Sequence, residues 1–485
     1  MPQTLNRDQY ELTPVKFSRL PKPGVLLGLN GSQLACLGVA VAALISALYI
    51  GGRAAFIISA IIWLPATTLA LVGVQGRQLV DWAPIVISWI TRRLQTDTTF
   101  TRDIIKPQPA GLLPIPGVTL KAYQDPTSGA CLIYDPTLGT LTATVEVTHP
   151  SFILLDPADQ ERRIQTWGRV LASCCRSGRI ARLQILERTL PDSGSSLADW
   201  WTRHGHDDGS WTARIYQDLI TSAGPASEKH VTTISVALDM KTAAKAIRAA
   251  GRGLTGAASV LAQEMTTLSA ALRSADLIPS RWLTDDQLAV IIRTAYDPNA
   301  TNTLERNPHI GRNLADAGPL GLQETWNDLH TDSAYHSVLW ISEWPRTQVF
   351  PGFLAPIMLS SGIRRTFALT CTPLRADIAA KDIRRKKTEH LANQTQRAKI
   401  GQIEDATQTA AYQDVLQQEA DLTAGHGIMR FTGLIAISAP TPDQLQAEQA
   451  AIEQAAIQAA CETRLLVGQQ ATAFTAAALP LCQVT

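Results

Sequence analysis

The stretch His204-Gly205-His206-Asp207-Asp208-Gly209 places two imidazoles and two carboxylates side by side. A His-x-His pair can ligate zinc, which takes four N, S or O donors. No second group of Cys, His or carboxylates stands at a recognisable ligand spacing, so the same residues also read as a polar surface loop. A membrane-tethered enzyme of unrecognised type, with this loop in a metal site, is one alternative. Nucleotide chemistry needs glycine amides ahead of a helix and a Lys for the phosphates, but G-x-x-x-x-G-K-[ST] does not occur. The glycines of "AAGRGLTGAASV" (residues 249–260) lack that Lys and follow no strand, so they read as a flexible joint before a helix. No G-x-S-x-G elbow is present. The seven Cys include no C-x-x-C, and Cys174 and Cys175 are adjacent in a helical pattern. That is not a disulfide framework and fits a reducing compartment. The residues thus predict no catalytic group, no metal and no cofactor.

The elements that surround these groups are more telling. Two uncharged apolar runs, Ser32–Ile50 and Ala54–Val74, dominate the front. A hydrocarbon core of roughly 30 Å needs about 20 residues per helical span. Gly51, Gly52 and Arg53 lie between the runs. Arg at the centre of a span would cost about 2.5–3.5 kcal/mol, whereas at a turn it reaches water. The pattern predicts a two-helix transmembrane hairpin over 32–75, after a cytoplasmic segment 1–31. Lys16, Arg19 and Lys22 precede it; Arg77, Arg92, Arg93, Arg102 and Lys106 follow. The positive-inside rule then places both ends and the main body in the cytoplasm, in the inner or only cell membrane. A cleaved signal peptide and a pair of buried core helices are the competing readings.

Residues 76–109 read as an amphipathic helix and a Pro-rich linker. Trp82, Trp89, Arg92 and Arg93 would anchor that helix at the lipid interface, or the helix packs on the soluble body. Beyond it, strand and helix patterns alternate, predicting an α/β (α+β) body of two units, 110–300 and 330–485, joined by a connector 301–329. Residues 375–423 run without Pro and with the single Gly401, predicting a projecting helical hairpin bent there. It carries the basic cluster Arg384-Arg385-Lys386-Lys387, read as a solvated face, with anionic lipid or nucleic acid as the other reading. Charge nearly balances at +1, which gives bulk electrostatics no nucleic-acid preference.

The order of "SAYHSVLWISEWPRTQVFPGFLAPIM", "RRTFALTCTPLRADIAAKDIRRKK", "GIMRFTGLIAISAPTPDQLQAEQAAIEQAA" and the closing "QQATAFTAAALPL" resembles the N-terminal, non-ATPase half of VirB/TraC/TrbE-type traffic ATPases of type IV secretion and conjugation. The front resembles the PrgI/TrbD-type two-span subunit of the same machines, as fused in actinobacterial conjugation-like clusters. The resemblance implies a non-enzymatic membrane scaffold that docks a separately encoded P-loop ATPase. Its implied partners are membrane lipid, that ATPase, other inner-membrane secretion subunits and further copies of itself, without direct nucleic-acid binding. Phe474, Leu479, Pro480 and Leu481 would contact the ATPase, or else pack on this protein's own sheet. A structural subunit of another secretion system is the second alternative.

Overall fold

The structure, a computed structural model, describes residues 15, 17, 29–51, 53–74, 77–103, 105, 111–149, 152–191, 195–223, 228–307, 310–400, 406–424 and 426–484. The chain forms two compact units, one of Met1–Ser18 with Thr99–Thr485, the other of Arg19–Thr98.

In the unit Arg19–Thr98, α1 (Gly31–Ile50) and α2 (Arg53–Leu71) are followed by the two-residue strands β1 (Gly73–Val74) and β2 (Arg77–Gln78), then α3 (Leu79–Leu94). Asn30 and Gln33 close a capping box at the start of α1. Gln33, Ala40 and Ala47 recur every seventh residue and are all buried, as is Ala70. Small side chains on such a stripe let two helix backbones approach closely. The Gln33 amide donates to the Ala70 carbonyl at 2.8 Å. The start of α1 therefore lies beside the end of α2, and the helices run antiparallel.

The other unit opens with β3 (Thr99–Thr101), β4 (Leu112–Ile115) and β5 (Val118–Gln124). There follow β6 (Cys131–Asp135), β7 (Thr140–Thr148), α4 (Pro157–Ser177), β8 (Ile180–Pro191), α5 (Ser195–His204), α6 (Trp211–Ala223), β9 (Glu228–Asp239), α7 (Ala244–Ala249), α8 (Gly253–Ser274) and β10 (Ile278–Trp282). Helices α9 (Asp285–Tyr296) and α10 (Ala300–Arg306) and strand β11 (Gly321–Glu324) lead to β12 (Leu329–Thr331), β13 (Tyr335–Glu343), α11 (Ala355–Met358) and β14 (Arg365–Leu374). The chain continues through α12 (Ala376–Ile400), α13 (Ala406–Thr423), β15 (Ile428–Ala439), α14 (Pro442–Gln458), β16 (Glu462–Leu465) and α15 (Gln470–Ala478).

Among the described residues, fourteen strands make one antiparallel sheet in the order β3-β11-β12-β13-β15-β14-β8-β9-β7-β6-β5-β4, with β10 on β7 and β16 on β13. The order reads alike from both ends. Strands β7, β8, β9 and β10 with α4 and α8 form a split βαβ unit in the order β10-β7-β9-β8. Strands β13, β14, β15 and β16 with α11 and α14 repeat it as β16-β13-β15-β14. Each repeat carries a helical pair between its second and third strands: α5 and α6 in the first, α12 and α13 in the second. The repeats join edge to edge through β8 and β14, with Ala368 opposite Leu186. The body expected as two α/β units thus shares one uninterrupted sheet.

Alternate residues explain the layers. Leu339, Ile341, Ile435 and Ile437 face Leu445 and Ile452 of α14. Their neighbours Val338, Leu434 and Ala436 face the opposite way, toward Ile292 and Tyr296 of α9 and Phe474 of α15. With both faces covered, "GLIAISA" is apolar almost throughout instead of alternating. The first repeat packs Val236 and Leu238 against Val170 of α4 and Leu261 and Leu268 of α8.

Residues 76–109, read as an amphipathic helix and a Pro-rich linker, contain β3, and β4 follows at 112–115. Strand β4 ends the sheet and has one strand neighbour, β5. Pro114 is tolerated there because an edge strand need not donate from every residue.

Candidate functional site

The chemistry-bearing stretches are engaged locally. His204 closes α5, where its ring stacks on Trp200 at 5.4 Å and Nδ1 lies 3.2 Å from the Trp200 carbonyl. Asp207 accepts from the Gly209 amide at 3.1 Å, and Asp208 accepts from the Ser210 amide at 3.0 Å. Hydrogen bonds from Ser210 hold the Asp208 carboxyl below its ordinary range. Both carboxylates therefore shape the turn into α6. Among the described residues, no three His, Cys, Asp or Glu side chains are grouped to hold a metal.

The glycines read as a flexible joint form a close-packed corner between α7 and α8. Gly251, Arg252 and Gly253 all have positive φ. A Cβ on Gly256 would fall 2.4 Å from the Ile247 carbonyl oxygen. Glycine is required there for helix approach. Cys174 and Cys175 are buried between α4 and the sheet, and burial pushes the Cys174 thiol up to about 11. An open cleft of about 780 Å³ is lined by Asp285, Asp286, Arg312, Asn313 and Asp316 among others. Asp285 and Asp286 sit in the first turn of α9, and Asp316 pairs with Arg102 at 2.6 Å.

The closing segment is held inside the body. Phe474, Leu479 and Leu481 are 0–1% exposed, and Pro480 is buried. Phe474 packs on Tyr296 and His336, with ring centroids 5.3 and 4.4 Å away. Gln184 of β8 donates to the carbonyls of Ala476 and Leu479 at 2.9 and 3.2 Å and accepts from the Cys482 amide at 2.9 Å. Thr144 and Ser235 hydroxyls each lie 2.9 Å from the Pro480 carbonyl. Gln483 donates to Asp135 at 3.0 Å. These four expected ATPase-contact residues pack on this protein's own sheet, and the structure offers none of them at the surface.

The basic cluster is largely spent on acids. Arg385 pairs with Glu389 at 2.8 Å, Lys386 with Asp382 at 3.1 Å and Lys387 with Glu419 at 2.8 Å. The last bridge, with His390 stacked on Tyr412 at 4.3 Å, ties α12 to α13. The predicted bend at Gly401 lies outside the described residues.

Of the membrane-turn residues, Gly51 caps α1 at φ 85°, Arg53 begins α2, and Gly52 lies outside the described residues, as do Lys16, Arg19, Lys22 and Lys106. By length and composition, α1 over Gly31–Tyr49 suffices to cross a membrane. Helix α2 ends at Leu71, three residues before the apolar run read from sequence does. Val39, Val41, Ile45 and Leu48 of α1 and Ile57, Ile58, Ile61 and Ile62 of α2 are all more than half exposed. Trp82, Trp89 and Arg92 on α3 are half-buried and Arg93 is exposed, with Arg92 5.8 Å over the Trp89 ring.

Sequence reasoning missed a clasp ahead of α1. Val15 and Val349 exchange backbone hydrogen bonds of 2.8 and 3.0 Å. Phe17 stacks on Trp344 at 5.3 Å and meets Phe353 and Phe431 at 5.4 and 5.8 Å. Gly433 makes room for Trp344, since a Cβ would come within 2.9 Å of that ring. The alternation Val15-Lys16-Phe17 was the available signal. At the other end, β3 pairs with β11, Phe100 opposite Leu322. Both flanks of Arg19–Thr98 are therefore fixed to the same body.

Residues 226–341 match the family model described as EccE, a type VII ESX secretion system translocon. The match runs from β9 through β12 and most of β13, taking in the segment that connects the two repeats in sequence, and covers less than half of the chain. No curated protein matches. The match overturns the type IV resemblance: the machine it indicates is type VII, and the VirB-, TraC-, TrbE- and PrgI-like assignments are withdrawn. The strand–helix order that suggested the VirB-, TraC- and TrbE-type proteins belongs here to the split βαβ repeat β13–β16 with its helical insertion.

Proposed function

We propose that this protein is a non-enzymatic, membrane-anchored scaffold subunit of a type VII-like secretion translocon. The observation that carries the reading is the match of residues 226–341 to the EccE family model. The exposed apolar sides of α1 and α2 support membrane insertion, because soluble proteins rarely leave contiguous apolar surface of that extent uncovered. The clasp at Val15 and Phe17 and the β3–β11 ladder support the two-span reading. With both flanks on one body, the inserted segment enters and leaves the bilayer on the same face. A two-span hairpin satisfies that condition, with body and flanks cytoplasmic; a single span does not. The body offers its continuous sheet and paired helical insertions to other membrane subunits. The ATPase expected from sequence is a partner to be sought in the same preparations, with no contact residue assigned.

The test is a deletion in the native host, complemented with the intact chain or with a chain lacking 29–74. Loss of type VII substrate export, restored only by the intact chain, supports the reading. Normal export in the deletion strain overturns it.

A further inference from the structure

Helix α3 has no buried residue. Val86, Ile87, Ile90 and Leu94 share one arc at helical spacing and are 37%, 61%, 49% and 79% exposed. Trp82, Ile85 and Trp89 occupy the neighbouring arc and are half-buried. Ser88 and Thr91 lie on the polar side. A helix of a soluble domain turns such a stripe into the core; α3 turns it outward.

The chain itself indicates what covers that stripe. The Leu79 amide, the first of α3, donates to the Val72 carbonyl just beyond α2 at 2.9 Å. Between them, Gly73 pairs with Gln78 and Val74 with Arg77. The chain thus reverses immediately after α2, and α3 starts beside the end of α2. If α2 ends at the hydrocarbon boundary, α3 begins there. We propose that α3 lies in the membrane–water interface, with Val86, Ile87, Ile90 and Leu94 against the acyl boundary. Arg92 and Arg93, in its last turn, are then placed to meet headgroup phosphates. The residues facing lipid are these four aliphatics, rather than the Trp82 and Trp89 expected from sequence. The inference rests on the reading of α1 and α2 as membrane-embedded.

Spin labels test it on the full chain, carrying Cys36→Ser, in phosphatidylcholine–phosphatidylglycerol nanodiscs. Single cysteines at Ile87 and Ile90 report the proposed lipid face, those at Ser88 and Thr91 the polar face, and those at Ile45 and Ile61 the spans. The expected result is high oxygen and low nickel-chelate accessibility at 87 and 90, with the reverse at 88 and 91. Equal nickel accessibility at all four positions, while 45 and 61 are immersed, overturns the inference and leaves the membrane reading intact. Shielding of 87 and 90 from both reagents assigns the face to protein and also overturns it. Water exposure at 45 and 61 removes both readings together.

Discussion

Gln184 and Phe474 bind the C-terminal segment at the scale of single side chains. The Gln184 amide bridges three main-chain groups with no exposed surface of its own. Gln184→Leu leaves those groups unpaired in the core, at about 1–3 kcal/mol. Phe474→Ala opens a cavity beneath α9 and is expected to lower stability by about 3–5 kcal/mol. Thermal unfolding of the full chain in detergent checks both; an unchanged midpoint for Phe474→Ala would return that side chain to the surface. His336 is completely buried, between Thr331 at 2.7 Å and Ser438 at 2.8 Å. Burial first, then Arg364 and His330, pushes its pKa down to about 3 from 6.5. The folded value lies below the unfolded one, so the unfolded chain binds the proton first as pH falls. The stability held by neutral His336 is whole above 6.5 and lost as pH drops toward 3. The midpoint should decline through that window, and less steeply in His336→Gln. Parallel declines would show that other groups set the acid response. The sequence offered packing on this protein's own sheet as one of two readings for Phe474, Leu479, Pro480 and Leu481; the partners that hold the segment, Gln184, Thr144 and Ser235, lie hundreds of positions away and were not legible.

Elements were legible wherever local pattern suffices. Asp156 before Pro157 and Gly178 after Ser177 bound α4, and β-branched runs mark β7, β8 and β9. Short strands were not: β4, β5, β6, β10, β11 and β12 went unread, because three to seven residues carry little periodicity, and Pro or Gly breaks β4, β10 and β11 further. Nor does sequence spacing reveal that β14 continues β8, since strand pairing is a tertiary choice. The helical insertion, in contrast, is built to be separable. Leu374 pairs directly with Ile428, so the β14–β15 ladder closes beneath it. Among the described residues of α12 and α13, the buried side chains are Ala379 and Ile383, at the base of α12. Replacing residues 388–412 with a short glycine linker should leave the unfolding stability within about 1 kcal/mol of the parent's. A collapse of the fold would show that the distal helices brace the sheet.

At the scale of the molecule, two split βαβ repeats meet strand to strand at β8 and β14, and the EccE-like stretch runs from the third strand of the first repeat, β9, to the first strand of the second, β13. In the proposed arrangement the chain crosses the membrane twice, which makes topology testable. Tyr49→Cys should react with an impermeant maleimide from outside intact cells, whereas Asp97→Cys should react only after permeabilisation. Reaction of both from one side before permeabilisation would exclude the two-span arrangement. A translocon subunit is defined by the company it keeps. The measurement that tests it most directly is purification of the tagged, full-length chain from its host's membranes in mild detergent, followed by native separation and mass spectrometry. The account expects one high-mass complex containing integral membrane subunits of a type VII machine, absent when 29–74 is deleted. Recovery of the folded protein alone, or with the components of a different secretion system, would contradict it.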